Sequence, residues 1–482
     1  MKTFLFYDVE TSGLNPAFDQ VLTFASIRTD LELNEIERQT ITISLRNDIV
    51  PSPTAFLVHG LTYDELAHGI SEYTAALKIH SIFNTPGTIS LGYNSLGFDD
   101  DFLRFMFYRN LLDPYTHQYA NGCSRMDILP ITVLFRIFSQ DSLIWPQIDG
   151  KPSLKLDLIS RENQFLTSGK AHEALNDVEA LIELTHKLSR QTDIWKYCLD
   201  FFNKTRDEVR INHIDKKLEI ENNRFRVCIM VSASFGAKAN YMVPVVHLGP
   251  SVTYKNQSLW LRLDSDDILG MDAGLDIKDT FVIRKRPADG LIVLPALERF
   301  WNKLPVESQE KAHKNMEKIR HQRFLEFIQY HSHYKYPFIP DMDPDAALYQ
   351  DGFFSFQEKK EINVVHLCLK DLPGADFNCE ILGKLSSARV KTLADRILAR
   401  NFNDVAGYRQ TAEHQLYLDR LKSSLEKDQI IGYKNDIKLN CEKALAELKQ
   451  TRENLLNPTQ GQTNLLCWLE TYIKALSSVP KK

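Results

Sequence analysis

The amino-acid sequence predicts a multi-domain α/β protein: a sheet covered by helices first, a small β-rich unit in the middle, and an α-helical unit at the end. Three observations predict this. At 482 residues the chain exceeds what one hydrophobic core ordinarily holds. Its 43% hydrophobic and 25% charged content is that of a soluble globular protein. The hydrophobic period also changes along the chain, and the changes divide it into 1–192, 193–336 and 339–482.

In the first part, strand-like runs fall at residues 4–9, 21–27 and 40–44, and a fourth apolar run ends in "ISLGYN". Helical spacing takes over in "FDDDFLRFMFYRN" and in "AHEALNDVEALIELTHKL", where Leu175, Val178, Ile182 and Thr185 recur at three and four residues. Strands with helices interleaved later make a sheet covered by helices. The middle part carries short β-rich runs, "VCIMVSASFG", "YMVPVVHLG", "SLWLRLD" and "FVIRKR", separated by Gly, Pro, Asn and Asp. A small barrel or sandwich follows from that spacing. One helical stretch, "VESQEKAHKNMEKIRHQRFLEFIQ", closes the unit, and the proline- and aspartate-rich "YKYPFIPDMDPDAALYQDGFF" reads as a linker. The remainder is amphipathic and helical: "SARVKTLADRILARNF", "AEHQLYLDRLKSSLEK", "IKLNCEKALAELKQTREN" and "NLLCWLETYIKAL".

Composition excludes several classes. The net charge of −5 gives no global attraction for a polyanion, so any nucleic-acid surface must be local. No run approaches about 18 apolar residues, and the N-terminus lacks a signal-peptide pattern, so a cytoplasmic protein without membrane association is expected. The seven cysteines are scattered without a CxxC pair, which predicts neither a disulfide framework nor a thiolate zinc site.

The chemistry lies in "FLFYDVETSG", where Asp8 and Glu10 end an apolar strand. Residues i and i+2 of a strand share a face, so the two carboxylates meet and repel unless a cation lies between them. Asp99 opens the helix after "GYNSLGF", and His172 and Asp177 stand at the start of "AHEALNDVEAL". Singly, each has a plain structural reading: a solvated strand end, a helix N-cap, a surface histidine on a polar helix. Jointly, four carboxylates from separate elements select a hard divalent cation, Mg²⁺ or Mn²⁺. A pair of such ions serves phosphodiester displacement, and His172 supplies a group titrating near neutrality for the attacking water.

"FYDVETSG", "GYNSLGFDDDFLRFMFYRN" and "HEALND" resemble the three motifs of the DEDDh 3′–5′ exonuclease superfamily. That resemblance implies an RNase H-like fold and two metal ions, held through Asp8, Glu10, Asp99 and Asp177, with His172 as the fifth catalytic residue. "FYRNLLDPY", "PSLKLDLIS", "VSASFGA", "ALYQDGFFS" and "ILARNF" extend the likeness to the bacterial exodeoxyribonuclease I family over nearly the whole chain. This implies an SH3-like middle domain and a helical C-terminal domain, together enclosing single-stranded DNA that is digested 3′ to 5′ into 5′-mononucleotides. It also implies roles in DNA repair and recombination, a monomer, and a contact with the C-terminal tail of the single-stranded-DNA-binding protein. Two departures stand out: Ser12 occupies a place where relatives usually carry a larger residue, and Ala233 one where Gly is frequent.

A single-strand exonuclease needs cations for phosphates and flat side chains for bases. By resemblance, Arg104, Tyr115 and Tyr119 lie near the strand and Lys155 near the terminal nucleotide, with Lys204 and Tyr349 as further contacts and Glu10 among the substrate-binding residues. Core packing is the other reading for the tyrosines. Residues 281–333 carry ten Lys or Arg against six Asp or Glu, and Arg389, Arg396 and Arg400 share one face of a predicted helix. That face reads either as solvated or as a DNA contact. Two other functions remain open on these residues: an RNA 3′ exonuclease on the same fold, and a non-catalytic DNA-end-binding protein.

Overall fold

The structure is a computed structural model that describes residues 1–165, 174–266, 268, 281–320, 323–370, 383–402 and 411–478. A five-stranded mixed sheet forms the first unit: β1 (Thr3–Thr11), β2 (Val21–Thr29), β3 (Glu35–Thr42), β4 (Thr88–Gly92) and β5 (Ser124–Asp127). Its order is β3-β2-β1-β4-β5. β2 runs antiparallel to β1 and β3, whereas β4 and β5 run parallel to β1. The central β1 is covered on both faces, and its alternation sorts side chains between two cores. Leu5, Tyr7 and Val9 pack with Phe83 and Phe102, from helices α1 (Glu72–Phe83) and α2 (Asp99–Arg109). Phe4 and Phe6 pack with Ile131 of α3 (Ile128–Phe138) and with Val178 and Leu181 of α4 (Ala174–Ser189). Each such buried phenylalanine is worth about 1.5–3 kcal/mol.

Two details depart from the pattern reading. β3 begins at Glu35, five residues before the expected start, because an edge strand tolerates the exposed, charged side chains that masked it. Proline at position 130 falls in the first turn of α3, where it costs the helix little.

The middle unit is an antiparallel sheet of β6 (Val227–Val231), β7 (Met242–Pro250), β8 (Ser258–Arg262), β9 (Val282–Lys285) and β10 (Ile292–Pro295), ordered β9-β8-β7-β6-β10. One face packs Val246, Leu259 and Leu261 under Ala312, Phe324 and Phe327. Those three come from two helices, α5 (Val306–Lys318) and α6 (Arg323–His333), where the sequence predicts one. Ile229, Val231, Ile292 and Leu294 join the core of α3, so this sheet packs directly on the first unit.

The last unit is helical, with α7 (Phe356–Lys370), α8 (Ala388–Asn401), α9 (Ala412–Arg420), α10 (Cys441–Asn454) and α11 (Gln460–Ser478). Leu393, Ala394 and Ile397 of α8 share a core with Phe18, Phe105 and Tyr108 of the first unit. Leu448, Leu465 and Leu469 close over Leu22 and Phe56.

Beside these apolar contacts runs a buried lattice of ions. Arg46 bonds Asp48 at 2.8 Å and Glu72 at 2.5 Å, and Arg109 bonds Glu72 at 2.7 Å. From α8, Arg400 reaches Asp48 at 3.0 Å and Asp345 at 2.5 Å, while Arg396 holds Asp343 at 2.5 Å and Asp345 at 3.0 Å. Burial would raise these carboxyls, but the arginines hold Asp48 well below the carboxylate range and Glu72 at about 2. The basic face of α8 is therefore neither solvated nor open to DNA. Arg396 and Arg400 are interior, and Arg389 pairs with Glu358 at 2.8 Å. Likewise Asp343 and Asp345, which gave the preceding segment the look of a linker, are the buried counter-ions.

Removing one member of a buried pair leaves a charge without compensation. Arg400→Ala is expected to cost about 3–5 kcal/mol in urea unfolding. Arg452→Ala, which breaks a solvent-facing pair with Glu470, should cost under about 1 kcal/mol. Equal losses for the two variants would remove the lattice from the account of how the units are joined.

Candidate active site

Asp8 and Glu10 continue the face of β1 that carries Phe4 and Phe6, which is the face α4 covers. Asp177 lies in the first described turn of α4. Each of Asp8, Glu10 and Asp177 offers an oxygen, and the three oxygens lie within 4.8 Å of one another. Asp99, buried at the first residue of α2, is not one of that group of three, but its charge acts on both Asp8 and Glu10. The acids are thus brought together by a strand end and two helices. His172 lies outside the described residues.

Electrostatics show how closely these groups crowd. The Asp8 carboxyl is pushed well above its ordinary range by burial first, then by the charges of Asp99, Glu10 and Asp177. Burial pushes Glu10 up to about 8, and Asp177 and Asp99 add to it. Burial raises Asp99 to about 7, helped by the charge of Asp127 and opposed by backbone N–H groups. Among the described residues no lysine or arginine pairs with Asp8, Glu10 or Asp99. An oxygen-only donor set under this repulsion fits a hard divalent cation, which would return the acids to their charged forms.

The neighbouring Asp100 shows the contrast. Arg104 and Arg125 both pair with it, His117 approaches at 3.3 Å, and the arginines hold its carboxyl well below the usual range despite burial. Arg104 also bonds Asp101 at 3.0 Å and is buried, so its guanidinium is engaged within the protein. It lies 5.7 Å from the ring centroid of Tyr115, which in turn meets Phe353 of the last unit at 5.3 Å. The Tyr349 hydroxyl donates to Asp101 at 2.8 Å, joining the last unit to α2. Tyr119 is 61% exposed, and Lys155 and Lys204 are exposed at the starts of their helices.

Ser12 has an architectural occupation. It is fully buried, its hydroxyl accepts the Gln20 N–H at 2.9 Å, and it donates to Asp19. Gly13 follows because a Cβ there would fall 2.4 Å from an Asp19 oxygen. The sequence reading did not single out Asp127, a buried acid whose environment raises it to about 6. Its only local signal is an Asp at the head of the apolar run "ILPITVLFRIF", an N-cap pattern.

Comparison with known proteins places this geometry. Residues 5–185 match the RNase_T family, described as exonuclease. An exodeoxyribonuclease I of Buchnera aphidicola subsp. Schizaphis graminum is 30% identical over 429 residues, 83% of this chain and 84% of that protein. Two Escherichia coli structures align over 99% of the chain. Exonuclease I in complex with a dA16 oligonucleotide has a TM-score of 0.78 and 27% identity over all of its length. The zinc-bound form of the ExoI–ssDNA complex has a TM-score of 0.78 and 26% identity over 99% of its length. A mixed sheet bearing a cluster of acids, with likeness running through nearly the whole chain, makes the chain a member of the exodeoxyribonuclease I family.

Proposed function

We propose that this protein is a metal-dependent 3′-to-5′ exodeoxyribonuclease that digests single-stranded DNA to 5′-mononucleotides and acts in DNA repair and recombination. The observation that carries the reading is the meeting of Asp8, Glu10 and Asp177, whose oxygens lie within 4.8 Å of one another under the added charge of Asp99. These four would hold two Mg²⁺ ions, with Mn²⁺ as the alternative. Bound divalent cations stabilise the attacking and leaving oxygens of a phosphodiester displacement. His172 takes the proton from the attacking water, because an imidazole accepts protons near neutral pH.

The strand is read as lying between three domains, 1–192, 193–336 and 339–482. Tyr115, Tyr119 and Tyr349 supply flat faces, and Lys155 and Lys204 phosphate contacts. Arg104, occupied by Asp100 and Asp101, serves by fixing the Tyr115 ring. Lys155 stands beside the terminal nucleotide, and Glu10 also contributes to substrate binding. The reading extends to a cytoplasmic monomer, with the acidic tail of the single-stranded-DNA-binding protein docking on basic residues of the middle unit. Among the described residues no helix is long and apolar enough to cross a membrane.

A 5′-labelled single-stranded DNA oligomer incubated with Mg²⁺ should be shortened from its 3′ end. Its duplex and a same-sequence RNA should survive. EDTA, Asp8→Ala or Asp177→Ala should reduce cleavage to background, and His172→Ala should slow it by about 10²–10⁴-fold. Consumption of RNA in place of DNA would overturn the substrate, and binding of DNA ends without any cleavage would overturn the enzyme.

Stability supplies a check without substrate. In the metal-free protein Glu10 rises from 4.5 to about 8, so between those values the folded state binds more protons than the unfolded state. Stability must then fall as pH rises through that window. In EDTA the melting temperature should drop from about pH 5 to about pH 8. Glu10→Gln should flatten the decline, and Mg²⁺ or Mn²⁺ should raise melting most at the upper end. A native slope unchanged by Glu10→Gln would show that the acids do not repel as described.

A further inference from the structure

Asp99 can join the cluster only if α2 begins at the right place, yet that helix start has no cap of its own. Phe98 occupies the N-cap position and makes no side-chain capping bond. The five residues before it comprise a bend, in which Asn94 adopts a left-handed conformation with φ of 65°, and a single 3-10 turn over Ser95–Gly97. The Asp99 carboxylate takes backbone N–H groups of Val9 and of Asp99 itself, and the turn that delivers its backbone is held from outside as well.

Asp127 holds that turn geometrically. β4 and β5 end side by side, with Gly92 opposite Asp127 in the parallel register. From there the Asp127 carboxylate spreads over two elements. Oδ1 accepts the N–H of Asn94 at 2.9 Å and that of Leu129 at 2.9 Å, and Oδ2 accepts the N–H of Leu96 at 3.1 Å. Only the Leu129 bond belongs to capping α3; the other two hold the turn that leads into α2. Asp127 is 3% exposed, so water does not compete well for these donors.

The outer side of the same turn is closed by the middle unit. Gly290 lies beside it, where a Cβ would stand in ordinary contact, 3.7 Å from the Leu96 side chain and 3.4 Å from that of Pro130. The segment bearing Gly290 is itself fixed, since Lys285 bonds Asp207 at 2.7 Å and Asp289 at 3.1 Å, and Ala288 N–H donates to Asp207 at 2.9 Å.

We propose that Asp127 is a positioning residue: by clasping the backbone of Asn94 and Leu96 it sets Asp99 in the cation site. This rests on the reading of Asp8, Glu10, Asp99 and Asp177 as cation ligands. Groups behind metal ligands typically change metal affinity or activity by about 10–100-fold when replaced.

Two variants separate the clasp from the helix cap. Asp127→Ser keeps a side-chain oxygen for the Leu129 N–H, a sound N-cap, but cannot span to Asn94 and Leu96. Asp127→Asn is nearly isosteric and turns one acceptor oxygen into a donor. Mn²⁺ binding by calorimetry, the Mn²⁺ dependence of DNA digestion, and kcat and KM for the oligomer are measured on both, with circular dichroism to establish folding. Asp127→Ser is expected to raise half-saturating Mn²⁺ by about 10–100-fold and to lower kcat, with KM for DNA within about twofold of native. Asp127→Asn should shift the same quantities by a smaller factor, and its shift decides the matter if the serine variant does not fold. Native Mn²⁺ binding in every folded variant would overturn the proposal and reduce Asp127 to a helix cap. A native protein that digests DNA but binds no Mn²⁺ would remove the cation reading and this inference with it.

Discussion

Arg400 reaches from α8 of the last unit to Asp48 of the first, and the same guanidinium bonds Asp345. Through Arg46 that contact passes to Glu72, and through Glu72 to Arg109 at the end of α2. One buried chain of alternating charges thus begins in the helical unit and finishes on the helix that Asp99 opens. Each acid in it has a guanidinium within hydrogen-bonding distance, so the lattice offsets the desolvation that burial imposes. Apolar contacts such as Phe105 and Tyr108 against Leu393 and Ile397 hold the units together without fixing their register. The paired ions add direction, because a bidentate arginine tolerates little displacement.

Against that background the acids around β1 are an exception of a definite kind. The chain compensates Asp48, Glu72, Asp100 and Asp345 with arginine, but gives Asp8, Glu10 and Asp99 none among the described residues. Asp99 and Asp100 are sequence neighbours at one helix start with opposite electrostatic fates, one raised to about 7 and one driven low. Burial is common to both, so the difference is the pair of guanidiniums at Asp100. Withholding compensation at a few positions while supplying it next door costs stability in the metal-free protein and leaves a field suited to a divalent cation.

Much of this was legible in the sequence where the signal is local. Alternation in "FLFYDVET" placed Asp8 and Glu10 on one face of a buried strand, and β1 has that arrangement. The helices carrying Asp99 and Asp177 announced themselves by spacing. What escaped depends on partners far away in the chain. Arg396 and Arg400 looked like a surface stripe because their acids stand more than fifty residues back, in a segment with linker composition. Arg104 is different: Asp100 and Asp101 stand four and three residues before it on α2, a pairing that helical spacing makes available, and the reading from resemblance passed over it. Asp127 went unremarked, since its local pattern is that of an ordinary helix cap and its other two bonds go to backbone, which carries no sequence signal at all.

The positions of the acids also explain why repulsion does not open the site. Asp8 and Glu10 stand at the end of a strand whose other residues are buried on both faces, and Phe4 and Phe6 anchor it beneath α4. A strand so fixed cannot rotate its carboxylates outward without moving its apolar side chains to the wrong face. α4 is held by Val178, Leu181, Leu184 and Leu188 against the same core, and α2 by Phe102, Leu103 and Met106 against the other. Each acid is therefore carried by an element whose position is set by several buried side chains, at about 1.5–3 kcal/mol apiece. Sites on such rigid elements hold their geometry better than sites on loops. The hydrophobic cores on the two faces of one sheet are what allow like charges to be kept together until a cation joins them.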